Sequence, residues 1–358
     1  MTSHTQHPLF RRASQAGFTL VEIMVGLAIG MLTTLIILQV FSVFEAQKRT
    51  TTGSADAQTN GTIALFSIER ELQNAGYPLM PLTTSALQCT TLTLDGGAAS
   101  SPGALSPVSI ADGGTGSDTL TIRYGDSSKG GISSKIIGMV GSDANLDNNF
   151  GCAQFDRTLI TNGTACAMST ASAVSAASAV PAQVTLVDTT AAANGAYLAC
   201  LGKWHEVTFA VSTAGNLQRK DLAAASTSYV DIVPGIVNLQ AQYGISDSKN
   251  LNTITSWVDA TGGTWAAPTV DDRNRIKAVR VAIVARNAKR EGGTVTTANC
   301  PTTSTATGLC AWVGSASSPA PTAVLSAGSV GADWSHYRYR VFETIIPLRN
   351  VIWSKGKL

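Results

Sequence analysis

Gly17-Phe18-Thr19-Leu20-Val21-Glu22-Ile23-Met24 is the stretch on which the fold of this chain turns. The basic pair Arg11-Arg12 stands ahead of it, and no charged residue occurs from Ile23 to Phe44. Between Phe18 and Phe44 the one ionisable side chain is Glu22. A helix over that span is about 40 Å long at about 1.5 Å of rise per residue, more than a hydrocarbon core of about 30 Å. A secretory signal would carry a shorter apolar region that is cut away. A twin-arginine signal is suggested by Arg11-Arg12 but fits the long apolar helix poorly. An uncleaved membrane anchor fits the hydropathy and leaves Glu22 without a role, since a carboxylate inside an apolar span ordinarily has a partner. A cut after Gly17 supplies one, because Phe18 then carries a new α-amino group and Glu22 lies one helical turn behind it.

These residues resemble the processing site of type IV pilins and of type II secretion pseudopilins. The resemblance implies that a prepilin peptidase cuts after Gly17 on the cytoplasmic side and methylates the new N-terminus at Phe18. It also implies that Glu22 aids docking by meeting a neighbouring subunit's amine. Gly26 and Gly30 form a small-x-x-x-small pair that lets apolar helices approach closely. Many major pilins carry a proline further along this helix; here none lies between Phe18 and Tyr77.

Helical spacing continues past the apolar run, with Ala57, Ala64, Leu65, Ile68, Leu72 and Ala75 recurring every three or four residues. Glu69, Arg70, Glu71 and Gln73 supply the polar remainder, Gly53 and Gly61 allow local bending, and Gly76-Tyr77-Pro78 ends the element. Downstream, Val-, Ile- and Tyr-rich runs separated by turn residues predict strands over 119–124, 183–187, 197–201, 207–212, 236–245, 276–285 and 337–346. Gly215-Asn216 predicts a hairpin into 217–220. The low-complexity stretches 169–181, 292–308 and 315–331 are expected to be loops or insertions.

Only 13% of the 358 residues are charged. Removal of Arg11 and Arg12 would bring the formal charge of +2 to neutrality, so no overall basic field exists to drive nucleic-acid binding. The six cysteines, Cys89, Cys152, Cys166, Cys200, Cys300 and Cys310, lack zinc-ligand spacing and read as disulfides of an exported domain. Proximity alone suggests pairing Cys300 with Cys310, Cys152 with Cys166 and Cys89 with Cys200. Nucleophile elbow, H-E-x-x-H, P-loop and dinucleotide fingerprint are all missing, and no cofactor is expected. His205 and His336 read as ordinary sheet or surface histidines. Asp143-Ala144-Asn145-Leu146-Asp147-Asn148-Asn149 resembles the opening of a calcium loop, but Asn148 and Gln154 stand where glycine and glutamate belong. A surface loop is expected there, and no metal site.

Glu71-Leu72-Gln73-Asn74-Ala75-Gly76-Tyr77, Val237-Asn238-Leu239-Gln240-Ala241-Gln242-Tyr243-Gly244 and the stretch from Tyr337 to Asn350 resemble the PilW group of minor pilins. The fold expected is α+β, the type IV pilin fold: a leader over 1–17, a helix over 18–76 with 18–44 in membrane or filament core, and a β-rich head over 77–358 on an antiparallel sheet. By this resemblance the chain is a non-enzymatic minor pilin that helps initiate the fibre and sits at or near its tip, in support of twitching motility, adhesion or DNA uptake. It passes from the inner membrane, with its head in the periplasm, to the pilus on the cell surface. The implied partners are prepilin peptidase, other minor pilins and the major pilin, the inner-membrane assembly platform, a tip adhesin, and membrane lipid before assembly. A type II secretion pseudopilin and a membrane-anchored binding protein are the alternatives.

Overall fold

The structure, a computed structural model, describes residues 17–79, 89–96, 105–114, 116–163, 165–176, 178–223, 228–296 and 331–353. The chain divides into two compact units, Met1–Thr52 and Gly53–Leu358. Helix α1 (Leu20–Asn74) begins in the first and ends in the second.

Within the first unit, the helical residues from Leu20 to Glu45 form an apolar span with a mean hydropathy of 2.3, and none of its most apolar window is buried. The side-chain hydroxyls do not interrupt the helix. Thr33 and Thr34 donate back to the carbonyls of Ile29 and Gly30 at 2.7 and 2.8 Å, and Ser42 donates to that of Gln39 at 2.8 Å. Such back-bonding satisfies each hydroxyl inside the helix itself, as an apolar solvent requires.

In the second unit the helix changes character, and Ala57, Ala64, Ile68, Leu72 and Ala75 form a buried stripe. Gly61 is a point of close approach rather than a bending point, since a Cβ there would lie within the Phe342 ring; at Gly53 it would meet the Asn287 side chain. Gly76, with φ of +77°, turns the chain out of the helix.

The first nine strands are β1 (Thr91–Leu94), β2 (Val108–Ala111), β3 (Thr119–Gly125), β4 (Ser133–Val140), β5 (Asp143–Leu146), β6 (Arg157–Asn162), β7 (Ala165–Val174), β8 (Ala182–Leu186) and β9 (Tyr197–Cys200). There follow β10 (Trp204–Val211), β11 (Asn216–Asp221), β12 (Val230–Pro234), β13 (Ile236–Ile245) and β14 (Ser256–Val258). After the short helices α2 (Gly262–Trp265) and α3 (Val270–Arg275) come β15 (Ile276–Arg286), β16 (Tyr339–Pro347) and α4 (Arg349–Trp353).

Two sheets share one core with the buried stripe of α1. One runs β14-β13-β15-β16, the other β12-β11-β10-β3-β2, and both are antiparallel. Leu239, Tyr243, Val279, Val281, Ile283 and Ile346 from the first pack with Leu120, Ile122, Val207, Phe209 and Leu217 from the second. β13 and β15 are buried almost throughout, which is why they read as near-continuous apolar runs.

All seven predicted strands are present within a few residues of their expected ends, and β10 and β11 form the expected hairpin. The remaining strands were not foreseen. β4 to β9 lie between β3 and β10 in the chain, and their pairings run β4-β5-β8-β7-β6-β9 and back to β4. That is a closed antiparallel ring, a small barrel filled by Ile136, Ala144, Leu146, Ile160, Val184, Leu186 and Leu198. Its small Ala, Ser and Thr residues suit a tight barrel interior and wall, and for the same reason they resemble a low-complexity loop.

Two expectations are corrected here. The stretch from Ser169, expected as a loop, belongs to β7 as far as Val174. Asp143–Leu146, expected as a surface loop, is β5: Asp143 accepts the Thr185 hydroxyl at 2.6 Å and Asn145 accepts the Gln183 amide at 2.9 Å. The low-complexity stretch 315–331 lies outside the described residues but for Gly331, as does 297–308.

The disulfides are Cys89–Cys166 and Cys152–Cys200, with Cα atoms 5.8 and 5.1 Å apart. Pairing by shortest separation fails because strand register places the partners. The parallel pairing of β1 with β7 sets Leu92 opposite Cys166, near Cys89, and β9 beside β6 brings Cys200 to the loop of Cys152. Cys300 and Cys310 lie outside the described residues.

Candidate assembly site

The residues singled out for processing and docking lie at the start of α1. Gly17 and Phe18 precede the helix in irregular backbone, and Phe18 is 79% exposed. Thr19 caps the first turn: the Glu22 N–H donates to its carbonyl at 3.0 Å and to its hydroxyl at 3.3 Å. Glu22 therefore sits in the first turn, exposed, where a negative charge complements the positive end of the helix dipole.

The next turns carry the glycine pair. A Cβ built at Gly26 or at Gly30 meets no atom within 4 Å. Nothing among the described residues therefore requires glycine at either position, in contrast to Gly53 and Gly61. Leu20, Met24, Leu27, Met31, Leu35 and Phe41 are all more than half exposed. Exposure of an apolar surface on this scale has no stable counterpart in water; it identifies a surface that other molecules cover.

In the second unit, a polar cluster ties the end of α1 to the sheet. Glu71, only 5% exposed at its side chain, accepts the Tyr124 hydroxyl at 2.6 Å and an Arg219 N–H at 3.3 Å. Arg219 also reaches Asp221 at 3.0 Å, and Asp221 accepts from the Ala223 N–H at 3.0 Å. His205 lies 3.1 Å from Asp221 and stacks on Tyr124 with ring centroids 4.9 Å apart. Burial tends to raise the Asp221 carboxyl, but the Ala223 N–H, His205 and Arg219 together hold it below the usual carboxylate range. Burial, aided by the hydrogen bond to Glu71, pushes the Tyr124 hydroxyl well above its ordinary value.

This cluster went unread in the sequence, where Glu71 was one polar residue among several. The signal available was its position beside Leu72 in the buried stripe. His205 is a sheet histidine bound up in this network. His336, in a single helical turn at 334–336, lies 3.2 Å from the Glu291 carbonyl. Among the described residues no group of three or more His, Cys, Asp or Glu side chains is arranged to hold a metal ion.

Comparison with protein families gives two matches. Residues 12–38 match the prokaryotic N-terminal methylation motif, and residues 207–350 match the type IV pilus-assembly protein W family. Both hits match a prepilin-type pilin of the PilW family. The second match runs from β10 through α4, the part of the head that supplies the buried strands β13 and β15 and the edge strand β16. The inserted barrel lies outside it. A type IV-like pilin from Thermus thermophilus is similar at 9% identity, over 82% of this chain and 97% of its own, with a TM-score of 0.34. Comparison with curated proteins gives no match.

The PilW match, the methylation motif and the apolar helix support membrane anchoring and incorporation into type IV pili. The same matches imply interaction with the pilus assembly machinery and with other pilins. Pilins are structural subunits, and the N-terminal apolar helix with a sheet-rich body fits the type IV pilin fold.

Proposed function

We propose that this chain is a minor pilin that takes part in initiating the fibre and occupies a position at or near its tip, acting by assembly rather than catalysis. The observation that supports it best is the contrast in burial along α1: the first unit's apolar span has no covering partner among the described residues. Lipid covers it first, with the head on the periplasmic side, and neighbouring pilin helices cover it afterwards. Apolar burial is retained in the exchange, so the transfer is driven by what lipid cannot offer, a charge partner and close helix packing.

In this reading prepilin peptidase cuts between Gly17 and Phe18 and methylates Phe18. Glu22 then meets the amine of a neighbouring subunit, and Gly26 and Gly30 let helices approach. The inserted barrel supports the tip position, because a bulky addition to the head is accommodated more easily at an end than in a repeated shaft. Deleting the gene and scoring surface pili, twitching and secreted enzymes tests the assignment. Loss of pili is expected; intact pili with lost secretion would point instead to a type II secretion pseudopilin.

A further inference from the structure

Helix α1 enters the second unit at Gly53, and one end of the β15–β16 pair meets it there. A Cβ at Gly53 would strike the Asn287 amide oxygen, and that same oxygen accepts the Lys289 N–H at 2.9 Å. The Asn287 N–H in turn donates to the Arg338 carbonyl at 2.8 Å. Further along β16 the Phe342 ring occupies the place of a Cβ at Gly61, and strand alternation puts Arg340 on the same face as Phe342, one step toward Gly53. The tether from here to the apolar span is short. Eight residues lead from Glu45 to Gly53, about 12 Å as helix and no more than about 28 Å fully extended, however the two units are disposed.

That end is basic. Lys289, Arg290, Arg338 and Arg340 are all exposed. Glu291 accepts from Arg338 Nη2 at 3.2 Å, and Asp333 lies 3.1 Å from Arg290 Nε. Two carboxylates thus answer two of the four cations, and Lys289 and Arg340 have no carboxylate partner among the described residues. The intervening sequence offers no other, since residues 292–332 contain neither Asp nor Glu. Asp231, on β12, is taken up by the Asn216 and Gln218 amides at 2.8 and 2.7 Å. The half-buried Trp334 and Tyr337 belong to the same stretch, and aromatic side chains with a polar tip suit a membrane–water boundary.

We propose that this basic end of the head docks on anionic phospholipid headgroups while the subunit is held in the membrane, with Lys289 and Arg340 against lipid phosphates. The tether favours lipid over other anions. A bilayer that holds the span ending at Glu45 stays within that reach of Gly53, whereas a soluble polyanion must be captured from solution. Attraction of cations to an anionic bilayer extends over about one Debye length, about 8 Å at physiological salt. The docking rests on the reading of the apolar span as a membrane anchor, and passage into a filament releases it.

The test reconstitutes the mature full-length chain in bilayer discs of phosphatidylcholine alone, or of phosphatidylcholine and phosphatidylglycerol in equal parts, at about 0.15 M salt. A water-soluble amine-acylating reagent is added, and peptide mass spectrometry follows the labelling of Lys289. Lys203 is the internal control, an exposed lysine whose N–H donates to Asp126, next to the Gly125 that bonds Tyr77 beyond the far end of α1. Lys289 is expected to label about fivefold more slowly in the anionic discs than in the neutral ones, the hold of an anionic surface on one cation. Lys203 should label equally in both. Raising the salt to about 1 M should abolish the difference, and Arg340→Gln, at an exposed position, should shrink it. Duplex DNA added to the neutral discs should leave Lys289 unprotected. Equal labelling of Lys289 in both discs, equal slowing of Lys203, insensitivity to salt, an undiminished difference in Arg340→Gln, or protection by DNA as strong as by anionic lipid would overturn the proposal. A chain that enters neither disc contradicts the anchor reading, and the docking falls with it; insertion with equal labelling removes the docking alone.

Discussion

The two parts of α1 obey different rules. From Leu20 to Glu45 the helix is apolar on all sides and exposed on all sides; from Gly53 to Asn74 it is apolar along one stripe, and that stripe is buried. The glycines show the same division. Gly61 is needed because Phe342 occupies the space a side chain would take, whereas Gly26 and Gly30 face empty space. A helix segment satisfied within its own chain shows periodicity and internal contacts; one satisfied by other molecules shows neither.

Breaking the first part should leave the head intact and abolish maturation or assembly, and breaking the second should do the opposite. The largest effect is expected from Gly17→Trp, which should leave the chain as unprocessed precursor on an immunoblot. Protein of mature size would remove the assigned cut.

Next in size is a cavity in the buried stripe. Leu72→Ala should destabilise the head by about 2 to 5 kcal/mol in urea unfolding, the usual cost of that truncation in a packed core. Leu32→Ala, on the exposed span, should leave head unfolding within about 0.5 kcal/mol of the parent. Equal losses would erase the distinction between the two parts.

Glu71→Ala should cost about 1 to 3 kcal/mol, because Tyr124 and Arg219 lose a buried acceptor. An unchanged unfolding midpoint would reduce the cluster to a surface ornament.

The smallest expected effect is on pH dependence. Burial, against the N–H bonds from Gly113 and Ala241, pushes the Asp118 carboxyl up to about 7. The folded chain therefore holds a proton that the unfolded chain releases, so the stabilisation is full below about 4 and is lost as pH rises through about 7. Head stability should fall by about 1 to 2 kcal/mol between pH 5.5 and 7.5, as about 1.4 kcal/mol corresponds to one pKa unit. Lys277, which burial pulls down to about 8, acts in the opposite sense, mostly above this window. In Asp118→Asn the fall should disappear; its persistence would assign the effect elsewhere.

How much of this was legible in the sequence follows the same physics. The apolar run, the stripe at Ala64, Ile68 and Leu72, and buried strands such as Ile236–Ile245 are written in local composition and period. The barrel is not, because alanine, serine and threonine in β7 carry little β signal and their partners are set by closure of the ring. The disulfides depend on that closure, so nearness in sequence misassigns them. Gly17, Phe18 and Glu22 were singled out by pattern and resemblance, while Glu71 needed the packing of α1 on β3 and β11 to acquire meaning.

The central claim is that the exposed part of α1 is completed by other subunits through Glu22. The direct measurement is the share of mature protein in sheared filaments against that in the membrane, for the parent and for Glu22→Ala. The expected result is normal cleavage and normal membrane abundance, with the filament share reduced about tenfold or more, on the order of 1.4 kcal/mol of lost docking energy. A filament share equal to that of the parent would contradict it.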